Sequence, residues 1–304
     1  MNGAVPSATY DGYEDARTIF HNHTFYLIAN HEDCRGRRRL VLVQLGGSAY
    51  NGTLAPLQDG MWVLSAAAAA GAGEEDGGFE MNDVEKNWIP FVHNNTLYLS
   101  YSLQVLQAQH SKNTAPFLHH PTSHTLPSPS LPPLLPQPHI VLRCAWTGGT
   151  CHLAYNTSSD FLQTYGTLEQ ELRGGTPYAD LDDGTRLAVM HYKDAAHDPP
   201  LYGSIVYLTD ARPPFRILSL SPKLCLSERR IELANSARCA LQYAVGLHVD
   251  TTRNLALVSY GEFDKKMKLA ALPLDKLVGL ARTHLLDNEG DVFSECARFG
   301  FEGE

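Results

Sequence analysis

Four short clusters of charged and amide side chains, each beside an apolar run, carry the chemistry legible in this 304-residue chain. In Tyr13-Glu14-Asp15-Ala16-Arg17, ahead of Phe25-Tyr26-Leu27, an arginine two residues from a carboxylate can fix its rotamer through forked donors. A surface ion pair would use the same residues. In Glu85-Lys86-Asn87-Trp88-Ile89-Pro90-Phe91, the indole of Trp88 can stack on the apolar face of a pyranose while Lys86 and Asn87 bind hydroxyls or an anion. A buried tryptophan closing a β layer is the alternative. Arg173-Gly174-Gly175-Thr176-Pro177-Tyr178 is a glycine-rich turn that lets backbone approach a ligand. It leads through Asp180, Asp182, Asp183 and Gly184 to Leu187–Lys193, a strand that carries His191 and Lys193. Ser259-Tyr260-Gly261-Glu262-Phe263-Asp264 ends another strand, with two acids that either aim at one site or cap a hairpin.

The elements that must position these groups are short strands. Runs at Thr24–Ala29, Leu40–Leu45, Thr96–Tyr101, His139–Cys144, Leu187–His191, Ser204–Leu208, Ala240–Leu247 and Leu255–Tyr260 are bounded by Gly, Asn, Asp and Pro. Many such runs at regular spacing indicate a sandwich, barrel or propeller. One helix is expected over Lys276–Leu286 with Asp275 as its N-cap. Charged clusters recurring at the same place in successive β units match a propeller, which brings them to a common axis.

In that order, Glu14-Asp15-x-Arg17, Glu85-Lys86-Asn87-Trp88-x-Pro90-Phe91, Gly174-Gly175-Thr176-Pro177 leading to His191, and Tyr260-Gly261-Glu262-x-Asp264 resemble the five-bladed β-propeller carbohydrate enzymes. They are most similar to the β-mannoside phosphorylases of glycoside hydrolase family 130 and the related mannosyltransferases. The resemblance implies an all-β, five-bladed propeller over residues 11–275, with an incomplete first blade, and a C-terminal helix and tail over 276–304. It implies cleavage or formation of glycosidic bonds with one Asp as proton donor, for which Asp15 is the first choice. Glu85, Glu262 and Asp264 are reserve carboxylates. Arg17, Lys86, Arg173, His191 and Lys193 would bind a phosphate or other anion, and Asn87, Trp88, His139, Gly175 and Thr176 would contact sugar.

Phosphorolysis, hydrolysis and transfer from a nucleotide sugar all stay open, as do the sugar and the linkage. Inorganic phosphate or a nucleotide sugar would be a co-substrate; no cofactor or metal is implied. The chain departs from the family at Ala16, at Asn87 and at Thr176-Pro177, where Pro, Asp and a second Pro are common. A non-catalytic carbohydrate-binding or scaffold propeller is therefore an alternative. A furanosidase-type hydrolase using Asp15, Glu85 and Glu262 is another. His139 is either an axial substrate contact or a histidine satisfied within the structure.

Composition narrows the partners. A formal net charge of -9 argues against nucleic acid, whose phosphates need a basic surface; Arg35–Arg39 reads as a solvated turn. No apolar stretch reaches the ~18 residues that span a bilayer, and residues 1–10 lack the pattern of a signal peptide. The six cysteines form no CxxC pair, which disfavours zinc, and Cys144 with Cys151 could staple a hairpin in an oxidising compartment. Sequons at Asn22, Asn51, Asn94 and Asn156 point the same way, towards the secretory pathway or Golgi. Residues 105–137 break the pattern with Pro127, Pro129, Pro132, Pro133 and Pro136 and no periodicity. They read as a disordered insertion between two strands. Val and Gln codons can supply the GT and AG of an intron, and the length preserves frame, so a retained intron is expected; a genuine surface loop is the alternative.

Overall fold

The computed structural model describes residues 14–32, 38–47, 53–66, 88–102, 139–157, 170–194, 201–226, 230–233, 236–239, 241–263 and 265–282. The first sheet is a meander of β1 (Glu14–His21), β2 (Thr24–Glu32), β3 (Arg38–Gly46) and β4 (Ala55–Val63). Asn22 and His23 turn β1 into β2 at φ 46° and 60°, the left-handed pair that a two-residue hairpin requires. Along β3, Leu40 and Leu42 face one apolar cluster and Val41 and Val43 another. A strand buried on both faces reads as a continuous apolar run, which is why Leu40–Leu45 lacks polar alternation.

The second sheet has the order β5 (Ser65–Ala66), β9 (Thr150–Thr157), β8 (His139–Cys144), β7 (Thr96–Ser102) and β6 (Ile89–His93). Asn94 and Asn95, at φ 47° and 59°, repeat the left-handed turn between β6 and β7. In the third, β10 (Gln170–Arg173) and β11 (Ala179–Asp180) both pair with β12 (Thr185–Asp194), followed by β13 (Leu201–Asp210) and β14 (Ile217–Leu220). A hairpin of β15 (Arg230–Leu233) and β16 (Ser236–Cys239) precedes the last sheet, β17 (Gln242–Asp250), β18 (Leu255–Glu262) and β19 (Lys266–Pro273).

The sheets stack face to face. Leu187 and Val189 of β12 pack towards the last sheet and the helix, whereas Ala188 and Met190 pack towards Ile89 of the second. Innermost strand β1 lies against β6 and β17, and β17 lies against β11 and β12. The architecture is an all-β propeller with four blades among the described residues, rather than the five expected. The first blade, expected to be incomplete, has four strands.

Helix α1 (Leu274–Arg282) begins two residues before the expected start and buries Leu274, Leu277 and Ala281. Asp275 lies inside the first turn. The capping acceptor comes from elsewhere: Asn254 Oδ1 accepts from the Asp275 amide at 2.9 Å, and its Nδ2 donates to Asp275 Oδ1 at 2.8 Å. A sequence-local cap rule could not see that. Cys144 and Cys151 are bonded directly across β8 and β9, as expected, and Cys225 is bonded to Cys239.

Residues 105–137 and the tail after 282 lie outside the described residues. The flanking strands β7 and β8 nevertheless pair antiparallel up to Ser102 and Ile140. Without 105–137, residues Leu103, Gln104, Pro138 and His139 would connect them, a common hairpin loop length. A protein lacking 105–137 should keep its β spectrum and melt within about 4 °C of the full chain, less than ~1–2 kcal/mol. Transcripts joining codon 104 to codon 138 should be found. Unfolding of the shortened protein would contradict this reading.

Candidate functional site

Asp15 stands at the start of innermost strand β1 with φ 53°. Glu14 pairs with Asn30 but Arg17 with Ile28, so three steps on β1 oppose two on β2. That is a β-bulge, a device that re-aims a side chain. The left-handed backbone of a non-glycine residue costs about 1–3 kcal/mol, less readily paid back except where surroundings over-determine it; Asp tolerates it better than most. The surroundings do so here. Arg17 Nη1 donates to the Asp15 carbonyl at 2.6 Å and Asn30 Nδ2 to the carboxylate Oδ2 at 3.2 Å.

Arg17 is 2% exposed, and its other two nitrogens reach different blades. Nε donates to the Gly175 carbonyl at 2.5 Å and Nη2 to the Tyr243 hydroxyl at 2.7 Å. One guanidinium thus ties the innermost strands of the first and last blades to the glycine loop of the third. The loop is built to meet it. Between the pairs Arg173–His191 and Ala179–Leu187, six steps on the inner edge oppose four on β12. Thr176 staples the excess: its amide donates to Val189 O at 2.8 Å, and its Oγ1 accepts from Val189 N at 3.0 Å. A Cβ at Gly175 would collide with the Val189 carbonyl, so only glycine allows this approach.

His191, on the middle strand, packs its ring 4.5 Å from that of Tyr243. Burial holds its pKa well below the usual value, with Arg17 and Arg173 pushing the same way and a backbone hydrogen bond at Gly174 opposing. It is therefore a neutral imidazole at physiological pH. Burial raises the Tyr243 phenol to about 12, the Arg17 charge counteracting and Asp15 adding to the rise. Two buried atoms of this cluster, His191 Nδ1 and Asn30 Oδ1, have no hydrogen-bond partner among the described residues. Each costs about 1–3 kcal/mol unless something polar arrives.

Of the expected site residues, Asp15, Arg17, Arg173, Gly175, Thr176 and His191 come together here. Lys193, two positions beyond His191 on the same face of β12, is half-buried. Glu85, Lys86, Asn87 and Asp264 lie outside the described residues. Three expectations change. Trp88 is 1% exposed in the core between the first two blades, with Ile28, Leu42 and Leu97, so no ring face is left for a sugar. His139 is a structural histidine: Nε2 shares a proton with Ser100 Oγ at 2.8 Å and Nδ1 lies 3.4 Å from Thr157 Oγ1. Glu262 is wholly buried and paired with Lys268 Nζ at 2.8 Å. Its register partner is Gln242, not Tyr243, which puts it on the other face of the last blade from the Arg17 cluster. Among the described residues no group of acids, histidines and cysteines is arranged to hold a metal.

Asn30 and Tyr243 were not singled out from sequence. Asn30 had a signal: a lone amide closing the apolar run Leu27-Ile28-Ala29. Tyr243 had none, because only the last blade's packing against β1 brings it to Arg17.

No protein-family model matches the chain, and no curated protein matches it by sequence. Solved structures do resemble it. The fold is like that of a β-1,2-mannobiose phosphorylase from Listeria innocua, at TM-score 0.50 and 14% identity, covering 89% of this chain and 60% of that one. The chain thus spans about three fifths of that enzyme's length. Weaker likenesses are to an endo-arabinase from Bacteroides thetaiotaomicron, at TM-score 0.42, 11% identity, 89% of this chain and 78% of that one. The mannose phosphorylase MPT-4 from Leishmania mexicana gives 0.37 and 11%, with 89% and 87% covered. The first of these likenesses bears on the fold, an all-β propeller. Among the described residues, no helix is long and apolar enough to cross a membrane.

Substituting Arg17 by Lys keeps the charge but loses the three-way fork. Denaturant unfolding should show a loss of about 2–4 kcal/mol; less than about 1 kcal/mol would mean the fork is dispensable. Burial lowers the His139 pKa to about 4, whereas the unfolded chain protonates near 6.5. The unfolded state therefore takes up the proton first, and stability falls as pH drops from about 6.5 to 4, by about 3 kcal/mol from this residue. His139→Gln should flatten that limb in a pH series of unfolding curves; an unchanged slope would refute it.

Proposed function

We propose that this protein is a carbohydrate-active propeller enzyme acting on β-mannosidic bonds, with inorganic phosphate as the nucleophile. The observation that carries the reading is Asp15: it sits on a left-handed bulge at the mouth of an innermost strand, its backbone carbonyl held by Arg17 and its carboxylate by Asn30. Arg173, His191 and Lys193, with Lys86, supply the anion and hydroxyl contacts. Arg17 acts as a positioning group, because its three nitrogens already donate to Asp15, Gly175 and Tyr243.

The chemistry follows from one carboxylate and one anion. A phosphate oxygen attacks the anomeric carbon as the bond to the leaving sugar breaks. The leaving oxygen takes its proton from Asp15, directly or through a substrate hydroxyl. The products are a mannose 1-phosphate and the released sugar. Inverting hydrolysis would need a second carboxylate about 6.5–9.5 Å away to activate water. Glu262, ion-paired on the far face of its sheet, does not support that role. The structural likeness lends no support to transfer from a nucleotide sugar.

Incubated with β-1,2-mannobiose, the protein should release sugar phosphate only when phosphate is present. Asp15→Asn should lower that rate by about 10²–10⁴-fold without lowering thermal stability. Release that ignores phosphate would make it a hydrolase. Mannoside binding without turnover, unaffected by Asp15→Asn, would make it a non-catalytic sugar-binding propeller.

A further inference from the structure

The axial site leaves one set of features unused, and it lies at the other end of the inner strands. From Asp15 to the turn at Asn22, β1 carries the chain about 23 Å at roughly 3.3 Å per residue. There Asn22-His23-Thr24 is an exposed sequon on a left-handed two-residue turn. Asn94-Asn95-Thr96 repeats the sequon and the turn between β6 and β7, with Asn94 also exposed. In each, the threonine hydroxyl donates to the asparagine carbonyl at 3.4 Å. Trp146 joins the two turns: its ring stacks on His21 at 4.4 Å, and its Nε1 donates to Asn95 O at 3.0 Å. Both turns therefore share the face opposite the axial mouth.

The two turns differ in one respect. Two residues before Asn22 stands Phe20, 59% exposed, with its ring 4.7 Å from cross-strand partner Phe25. A phenyl ring so placed is largely open to water, with the His23 ring edge-on at 6.5 Å. Two residues before Asn94 stands Val92, which is half-buried. The apolar face of a pyranose is the natural cover for an aromatic ring next to a glycan attachment point. Disulfides Cys144–Cys151 and Cys225–Cys239 belong to an oxidising compartment, the one in which such attachment occurs.

We propose that Asn22 and Asn94 are N-glycosylated, and that the first N-acetylglucosamine on Asn22 stacks on Phe20, so that this glycan stabilises the first blade. The proposal does not depend on the reaction at the axial site. Glycans on this face leave the Asp15 end of the strands open.

The test is the full chain secreted from eukaryotic cells behind a cleavable signal, mapped by intact mass and glycopeptides. Glycan is expected on Asn22 and Asn94, with Thr24→Ala removing the first and Thr96→Ala the second. Enzymatic deglycosylation should lower Tm by about 2–4 °C in the wild type. In Phe20→Ser that shift should shrink to less than about 1 °C, on the same scale. Phe20→Tyr, which keeps a ring, should retain it and covers the case in which Phe20→Ser misfolds. Unmodified Asn22 in the folded, secreted protein would overturn the proposal. So would an equal deglycosylation shift in wild type and Phe20→Ser.

Discussion

The guanidinium of Arg17 is the constraint on which the rest of the site depends. A propeller's blades pack through apolar side chains, and apolar contact is non-directional. It holds β1, β10–β11 and β17 near one another without setting their positions to a fraction of an ångström. Arg17 does this with three charge-assisted donors, to Asp15 O, Gly175 O and Tyr243 Oη. Such bonds are shorter and stronger than neutral ones. Buried at 2% exposure, the cation must have acceptors, so each blade that supplies one is drawn to a fixed place.

That tie explains several otherwise costly local features together. The left-handed Asp15 is held where its carbonyl meets Nη1. The two surplus residues in the β10–β11 edge exist because Gly175 must turn its carbonyl inward, and Thr176 repairs the ladder they interrupt. The lowered pKa of His191 is partly the field of the same cation. A left-handed aspartate, an interrupted ladder and two unpartnered polar atoms meet around Arg17, beside interblade layers of apolar packing. Several local rules broken together make this cluster the candidate site.

Much of this was legible in the chain. Strand runs bounded by Asn, Asp and Gly place most of the sheets, since turn chemistry and strand length are local. Asp15, Arg17, Gly175, Thr176 and His191 were legible because they sit in polar clusters beside apolar runs. Roles were harder to read than positions. Arg17 looks like an anion fork until its three acceptors are seen, two of them more than 150 residues away. Trp88 and His139 carry chemistry-capable side chains, but only packing reveals that both are enclosed. Glu262 is one residue from Gly261, the partner of Tyr243. That single step of strand alternation sends it to the other face.

The two ends of the inner strands emerge as different surfaces, one with a displayed carboxylate and one with exposed sequons on tight turns. The claim that the Arg17 cluster is a sugar-phosphate site is tested most directly by a crystal structure of the protein soaked with β-1,2-mannobiose and phosphate. Sugar is expected against Asp15, with its glycosidic oxygen within hydrogen-bond reach of the carboxylate, and phosphate bounded by Arg173 and His191. Sugar bound away from Asp15, or an axial site still empty at saturating ligand, would contradict it.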